Sequence, residues 1–184
     1  MRLIFIISII FSFNACNQKK NTQIRSKTFI DEKLKNIEIN SRPKVFFSLD
    51  PECPLCKSYS KKINEIRKEF QNHYDFYTFF PSKVYSKDKT LDFISINKID
   101  MKIIIDTNQV LTKFLNAKIT PECFVVDSNF NLIYKGLIDD WIKELGRKGQ
   151  FVQNEYLINS LKLYLNNKKI QIKETQAIGC IIQK

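Results

Sequence analysis

Two cysteines three positions apart are the residues of this sequence best suited to chemistry. Cys53 and Cys56 lie in the stretch SLDPECPLCKSY (48–59), and the tripeptide Pro-Glu-Cys recurs at 121–123. A cysteine pair at this spacing can bind a metal, attach a haem, form a structural disulfide or exchange electrons with other thiols. The rest of the chain has to decide among these uses.

The sequence around the pair argues against a metal or haem site. Haem attachment requires a histidine directly after the second cysteine, and Lys57 stands there. A structural zinc site requires four ligands, but His73 is the one histidine and the chain has no second C-x-x-C. We expect His73 at the surface near a helix end. The sequence therefore predicts no metal and no organic cofactor, and leaves a structural disulfide or a redox pair.

The first sixteen residues have the pattern of an export signal. Arg2 precedes an apolar run at 3–13, and the small residue Ala15 and then Cys16 follow this run. This pattern resembles a bacterial lipoprotein signal, which is removed (1–15) so that the cysteine becomes the lipidated first residue. An ordinary cleaved signal peptide is the alternative. Both predict an extracytoplasmic protein, and lipidation at Cys16 predicts a membrane anchor on the periplasmic side.

The predicted export limits the expected partners and exposes the thiols to an oxidising compartment. The 30 Lys and Arg against 19 Asp and Glu give a net charge of +11, but the basic residues form no dense run. Outside the cytoplasm nucleic acid is not an expected partner. Extracytoplasmic compartments are oxidising, so a cysteine pair there needs a redox donor or acceptor to keep it in use.

The hydrophobic pattern places the cysteine pair at the start of a helix. Residues 16–42 are mostly polar and predict a tether with a short lead-in, and a domain begins near Pro43. The apolar run at 44–49 predicts a buried strand. From Pro54 onward, one helix face is apolar at intervals of three or four residues, namely at Leu55, Tyr59, Ile63, Ile66 and Phe70.

The elements that follow predict an α/β fold. They are a strand at 74–80, a helix at 86–98, a strand at 101–105, a helix capped by Asp106 or Thr107 that ends at Leu115, a hairpin of strands 122–126 and 132–136, and a helix at 152–166. The order is therefore β-α-β, an inserted α-β, then α-β-β-α. It predicts a central mixed sheet flanked by helices.

At this point the chain resembles the thioredoxin superfamily. The run Cys53-Pro54-Leu55-Cys56-Lys57 follows a strand, and Ile119-Thr120-Pro121 precedes the next-to-last strand. The inserted α-β after the second strand, the segment TPECFVVDSNFNLIYKGLIDD and the tail TQAIGCII are similar to an extracytoplasmic redoxin branch related to alkyl hydroperoxide reductase and thiol-specific antioxidant proteins. The resemblance implies a thioredoxin-like domain at 43–168, a tail at 169–184 packed on it, and a cis peptide bond at Thr120–Pro121 facing the active cysteine.

The residue types fit thiol exchange. The first turn of a helix favours a thiolate, so Cys53 is the predicted nucleophile, and Cys56 lies close enough to release a mixed disulfide. The Thr120 backbone before Pro121 would pair with an extended substrate segment. Thioredoxins carry Trp before the first cysteine and a buried Asp six residues before it, whereas this chain has Glu52 and Phe47 there.

We therefore expect a thiol–disulfide oxidoreductase that exchanges with exported proteins. One alternative is a peroxiredoxin-like peroxidase, although Asp50 stands where that family has its threonine and no arginine can be matched. The other is a binding module in which the cysteines form a structural disulfide. Glu52 and Glu122 are expected to be solvated loop ends.

Cys180 in the tail is a candidate auxiliary thiol. The expected role is structural: Ile178, Ile181 and Ile182 pack the tail on the domain, and Cys180 is a small buried hydrophobic residue beside Cys123. The alternative is that Cys180 resolves disulfides formed on Cys53. Cys56 is much nearer in sequence, so the cost of loop closure favours Cys56 for that step.

Overall fold

The structure is a computed structural model that describes residues 42–183 in full and only the backbone of residues 29–30 and 36–37. The predicted signal at 1–15 and the lipidation residue Cys16 lie outside the described residues. Within the described part of the chain, no helix is long and apolar enough to cross a membrane.

The described chain contains eleven strands and four helices. The strands are β1 (Phe29–Ile30), β2 (Asn36–Ile37), β3 (Lys44–Ser48), β4 (Asp75–Phe80), β5 (Lys102–Ile105), β6 (Ile119–Thr120), β7 (Glu122–Val126), β8 (Leu132–Gly136), β9 (Ile142–Glu144), β10 (Arg147–Lys148) and β11 (Cys180–Ile181). The helices are α1 (Pro54–Phe70), α2 (Lys87–Ile96), α3 (Val110–Leu115) and α4 (Tyr156–Leu165).

Five of the strands form the central sheet, in the order β5-β4-β3-β7-β8. β4 is parallel to β3 and to β5, whereas β7 is antiparallel to β3 and to β8. The sheet is therefore mixed, as predicted, with α2 and β5 inserted after the second sheet strand. The turn-rich residues between β7 and β8 close the predicted hairpin.

Helices cover both faces of this sheet, which explains the unbroken apolar run of β3. Val45 and Phe47 face one core, to which α1 contributes Ile63. Phe46 faces the other core, to which α3 contributes Leu111. Successive side chains of a strand point to opposite faces, so a strand between two helix layers is buried at every position. The prediction of a mixed sheet flanked by helices is confirmed.

Two helices begin later than predicted, each because a carboxylate holds the preceding loop. The Asp106 carboxylate accepts the N–H groups of Val110, Leu111 and Thr112 at 2.7–3.2 Å, so α3 begins at Val110. The Asp140 carboxylate accepts the N–H groups of Gln153 and Asn154 at 2.8 and 3.0 Å, which keeps them out of α4.

The C-terminal tail returns to the sheet after α4. Thr175 N–H donates to the Lys135 carbonyl at 3.0 Å, and β11 pairs antiparallel with β6. Ile178 and Ile182 pack inward as predicted. Ile181 is 79% exposed, so the prediction that it packs on the domain is wrong. It is exposed because alternate residues of a strand point to opposite sides.

Candidate active site

Cys53 lies at the start of α1, where the chain leaves the sheet. The Cys53 N–H donates to the Asp50 carbonyl at 3.2 Å, which closes a turn after β3, and Pro54 then occupies the first helical position. Proline suits that position because its missing N–H has no partner inside the helix. The Cys53 sulfur therefore lies at the positive end of the helix dipole.

The Cys53 sulfur has sulfur and carbonyl partners on several sides. As a thiol it donates to the Thr120 carbonyl oxygen at 3.1 Å, and the Cys180 thiol donates to the Cys53 sulfur at 2.7 Å. The four cysteines of residues 42–183 are all free thiols. A disulfide bond is about 2.05 Å long, so Cys53 and Cys180 are in contact without being bonded.

The hydrogen bonds that the Cys53 sulfur accepts favour its thiolate. A hydrogen bond from the Cys56 thiol lowers the pKa of Cys53 to about 5, and further hydrogen bonds from Cys180 and from the backbone N–H groups of Cys56 and Leu55 act in the same direction. Burial opposes the shift by a smaller amount. The sequence predicted a lowered pKa from the helix start alone, whereas the neighbouring thiol is the main cause.

The Cys56 thiol has the opposite environment. It is fully buried in the first turn of α1, and its sulfur accepts the Asp50 N–H at 3.4 Å. Burial raises the pKa of Cys56 well above its ordinary value, and the neighbouring Cys53 thiolate adds to the effect. Cys56 is therefore a protonated thiol that stabilises the Cys53 thiolate.

The peptide bond between Thr120 and Pro121 is cis, as the resemblance implied. It lies between β6 and β7 and turns the Thr120 carbonyl toward the Cys53 sulfur. Ser48, at the end of β3, holds this loop through two hydrogen bonds. Its hydroxyl donates to the Ile119 carbonyl at 2.7 Å and accepts the Glu122 N–H at 3.1 Å.

The Glu122 side chain is buried, so the prediction that it is a solvated loop end is wrong. Its carboxylate accepts the N–H groups of Lys118 and Ile119 at 3.1 and 3.4 Å. Two backbone donors that the loop leaves unpaired hold the side chain inward. Glu122 is only 6% exposed, and this burial raises the pKa of its carboxyl group.

Cys180 and Cys123 do not contact each other as expected. The Cys123 thiol is buried in the sheet and donates to the Gly136 and Leu137 carbonyls at 3.3 and 3.4 Å. Cys180 is only partly buried and lies against Cys53, so the prediction of a buried residue beside Cys123 is wrong. The reason is the antiparallel register, which places Cys180 opposite Thr120.

Asp50 and Tyr85 are site residues that the sequence analysis did not assign to the site. Burial raises the pKa of the half-buried Asp50 carboxyl, and the negative charge of Cys53 raises it further. The Tyr85 hydroxyl contacts both Asp50 and the exposed Glu52, and Glu52 also pairs with Lys89. The signal for Asp50 was its position between the end of a strand and a helix start, three residues before the nucleophile.

Within residues 42–183, no three His, Cys, Asp or Glu side chains are grouped so that they could hold a metal ion.

Solved structures with the same fold were found, whereas no family model and no curated protein matches the chain. A conserved uncharacterized protein from Geobacillus kaustophilus superposes with a TM-score of 0.75 at 17% identity, over 85% of this chain and 87% of its own. A hypothetical protein from Sinorhizobium meliloti 1021 superposes with a TM-score of 0.73 at 16% identity, over 85% of this chain and 89% of its own.

A third structure has a functional description. It is a secreted Mycobacterium tuberculosis disulfide oxidoreductase homologous to E. coli DsbE, with a TM-score of 0.53 at 12% identity over 60% of this chain and 82% of its own. Identities this low establish the fold and no more. A thioredoxin domain is also among the matching solved structures, so the fold of this chain is thioredoxin-like, which confirms the predicted fold class.

Proposed function

We propose that the protein is a thiol–disulfide oxidoreductase that uses Cys53 and Cys56 to exchange electrons with exported proteins. The observation that carries the proposal is the geometry at one helix start: the Cys53 sulfur lies 3.1 Å from the Thr120 carbonyl that precedes a cis proline, and the buried Cys56 follows one helical turn later. The pKa values of the two thiols shift in opposite directions there, lowered to about 5 at Cys53 and raised at Cys56. A thiolate is the attacking species in exchange, and a protonated neighbour keeps it stable until a substrate arrives.

In the first step the Cys53 thiolate attacks one sulfur of a substrate disulfide. A bond forms between Cys53 and that sulfur, and the other substrate sulfur leaves as a thiolate. The Thr120 carbonyl, 3.1 Å from the Cys53 sulfur, marks the edge at which an extended substrate segment would pair.

In the second step the Cys56 sulfur attacks the Cys53 sulfur and a Cys53–Cys56 disulfide forms. The remaining substrate sulfur leaves as a thiolate and takes up the proton that Cys56 gives up, so it is released as a thiol. The hydrogen bond from Asp50 N–H to the Cys56 sulfur stabilises the thiolate that this step needs. A redox donor then reduces the Cys53–Cys56 disulfide again. In the opposite direction, the protein oxidises its substrates and an electron acceptor re-forms the disulfide. Both are proteins or small thiols of an extracytoplasmic compartment.

Two observations support an extracytoplasmic location. The first sixteen residues have the pattern of a lipoprotein signal, and the M. tuberculosis protein of the same fold is described as secreted. We infer that Cys16 anchors the protein to a membrane surface and that exported proteins with disulfides or thiols are the substrates.

Turnover of an insulin disulfide by the reduced protein, with a chemical thiol as electron donor, tests the proposal. We expect catalysis in the natural protein and none in Cys53→Ser. Cys123→Ser is the matched control, because the Cys123 thiol is buried in the sheet and donates to the Gly136 and Leu137 carbonyls, which a serine hydroxyl can also do. Stopped-flow addition of hydrogen peroxide to the reduced protein is the second arm. Rapid peroxide consumption without insulin turnover would replace the proposal by the peroxidase alternative.

A further inference from the structure

The tail of the chain occupies the edge at which an exchange substrate would pair. β11 pairs antiparallel with β6, and Cys180 lies opposite Thr120. The Ile182 N–H donates to the Lys118 carbonyl at 2.9 Å, and the Thr120 hydroxyl donates to the Cys180 carbonyl at 3.4 Å. The first is a main-chain contact of the kind by which an added strand binds to a sheet edge, and the second is a side-chain contact to the same strand.

The same segment places a sulfur where a substrate sulfur would approach. Cys180 Sγ is 2.7 Å from Cys53 Sγ, and the Cys53 residue is only 2% exposed. A protein disulfide therefore has no access to Cys53 while the tail is in place. Access requires that β11 leaves β6.

The local structure allows that movement. Thr175 anchors the tail to β8 through a hydrogen bond of 2.8 Å from the Leu137 N–H to its hydroxyl and one of 3.0 Å from its own N–H to Lys135. Beyond this anchor the paired strand is only two residues long, and Ile181 is 79% exposed. The end of the tail is also held by the buried Ile182 and by a hydrogen bond of 2.6 Å from the Gln109 amide to the Gln183 carbonyl. A strand of two residues nevertheless loses few backbone hydrogen bonds when it opens.

The close approach of the two backbones depends on Gly179. A Cβ atom at this position would overlap the Thr120 carbonyl oxygen and lie 2.8 Å from the Ile119 side chain. Only glycine allows the tail backbone to reach this edge. The tail is therefore fitted to the position opposite Cys53.

We propose that residues 176–183 form a built-in substrate strand and that Cys180 is a third redox-active thiol, which exchanges with Cys53. This inference rests on the proposed thiol exchange at Cys53. When Cys53 carries a mixed disulfide, Cys180 attacks the Cys53 sulfur, a Cys53–Cys180 bond forms and the substrate sulfur leaves as a thiol. The Cys180 proton passes to the leaving sulfur, so no further oxidant is consumed. Cys56 then attacks Cys53 and releases Cys180.

The test is non-reducing peptide mapping of the full-length Cys56→Ser protein after incubation with oxidised glutathione. Cys53 first takes up one glutathione and releases the other, and Cys180 then displaces the bound glutathione. We expect the Cys53–Cys180 disulfide as the main product. In the matched Cys56→Ser/Cys180→Ser protein, Cys53 should instead remain bound to glutathione. Equal accumulation of the Cys53–glutathione adduct in the two proteins would overturn the inference.

The natural protein, treated in the same way, separates this inference from the proposed function. A Cys53–Cys56 disulfide with insulin turnover, combined with no Cys53–Cys180 bond in Cys56→Ser, would refute only the role of Cys180. Absence of the Cys53–Cys56 disulfide together with absence of insulin turnover would refute the proposed function itself. A Cys53–Cys180 bond in Cys56→Ser that is missing when Cys180 is replaced supports the inference.

Discussion

Cys53 and Cys56 are three positions apart, yet their surroundings shift the two thiol pKa values in opposite directions. Cys53 receives hydrogen bonds from two thiols and from backbone N–H groups, whereas Cys56 is sealed inside the first turn of α1. A single additional turn of helix thus separates a nucleophile from a reserve thiol. The difference gives each cysteine a role that can be measured.

The first prediction concerns the pH dependence of Cys53. Because its pKa is lowered to about 5, the thiolate is present above that pH and is lost as the pH falls through it. We expect alkylation of Cys53 by iodoacetamide to be nearly constant from pH 7 to 8 and to fall to about one tenth at pH 4. Mass spectrometry of the peptide that contains Cys53 measures the rate. A rate that still rises steeply between pH 8 and 9 would contradict the lowered pKa.

A second prediction at this scale concerns Asp50. Its carboxyl group and the Cys53 thiolate repel each other, which helps to raise the pKa of Asp50. Electrostatic coupling is reciprocal, so Asp50→Asn should lower the pKa of Cys53 further and move the alkylation midpoint to lower pH. The asparagine oxygen can still accept the Glu52 N–H, which Asp50 accepts at 2.8 Å. Glu52→Gln is the control, because the exposed Glu52 already pairs with Lys89, and it should leave the midpoint unchanged.

At the scale of elements, α1 and the β6–β7 connection each carry half of the site. α1 presents the two cysteines, and the connection presents the Thr120 carbonyl and the edge to which β11 pairs. Ser48 and the buried Glu122 hold that connection through hydrogen bonds to its backbone. The tail strand pairs with β6, which leads into the same connection, so displacement of the tail would change the surroundings of Cys53.

Gly179→Ala is predicted to displace the tail strand. A methyl group there overlaps the Thr120 carbonyl, and steric overlap of this kind typically costs about 1–3 kcal/mol. Each cost of about 1.4 kcal/mol shifts the equilibrium between the paired and the displaced tail roughly tenfold. We expect alkylation of Cys53 at pH 7 to be about tenfold faster. Gly149→Ala is the control, because a Cβ there would lie 3.1 Å from the end of the flexible Lys143 side chain and 3.2 Å from the Trp141 carbonyl oxygen, without the overlap found at Gly179. An unchanged rate in Gly179→Ala would mean that the tail does not limit access to Cys53.

At the scale of the whole molecule, the central sheet separates two hydrophobic cores, one on each face. The face of the sheet that packs against α1 and α4 includes Phe47 and Cys123, and the opposite face includes Phe46 and Phe124. The reactive thiols lie at the edge of the first core, where α1 begins. The predicted tether at 16–42 lies mostly outside the described residues and stays a prediction.

The corresponding prediction concerns attachment to a membrane. Cys16 lies outside the described residues, and its role follows from the signal pattern. If Cys16 is lipidated as proposed, Cys16→Ala should move the protein from the membrane fraction to the soluble fraction, because the variant has no cysteine to carry the lipid at that position. Insulin turnover by purified Cys16→Ala should equal that of the natural protein. Membrane association that persists in this variant would indicate an uncleaved anchor instead.

The sequence by itself determined the order of the elements and the position of the cysteine pair. Apolar spacing identified β3, α1 and the later hairpin, and their order predicted the mixed sheet. Such patterns are readable because a buried strand or helix face repeats over many consecutive residues. This pattern also placed Cys53 at a helix start, whereas the role expected of Thr120-Pro121 came from the resemblance to the thioredoxin superfamily.

Only the tertiary structure decided what surrounds the reactive thiol. The pairing of β11 with β6 joins Cys180 to Thr120 across 60 residues, and two-residue strands leave no periodic signal. The burial of Glu122 likewise depends on two backbone donors that its loop leaves unpaired. Contacts between distant segments depend on register and on which backbone groups lack a partner, and these properties exist only once the chain has folded.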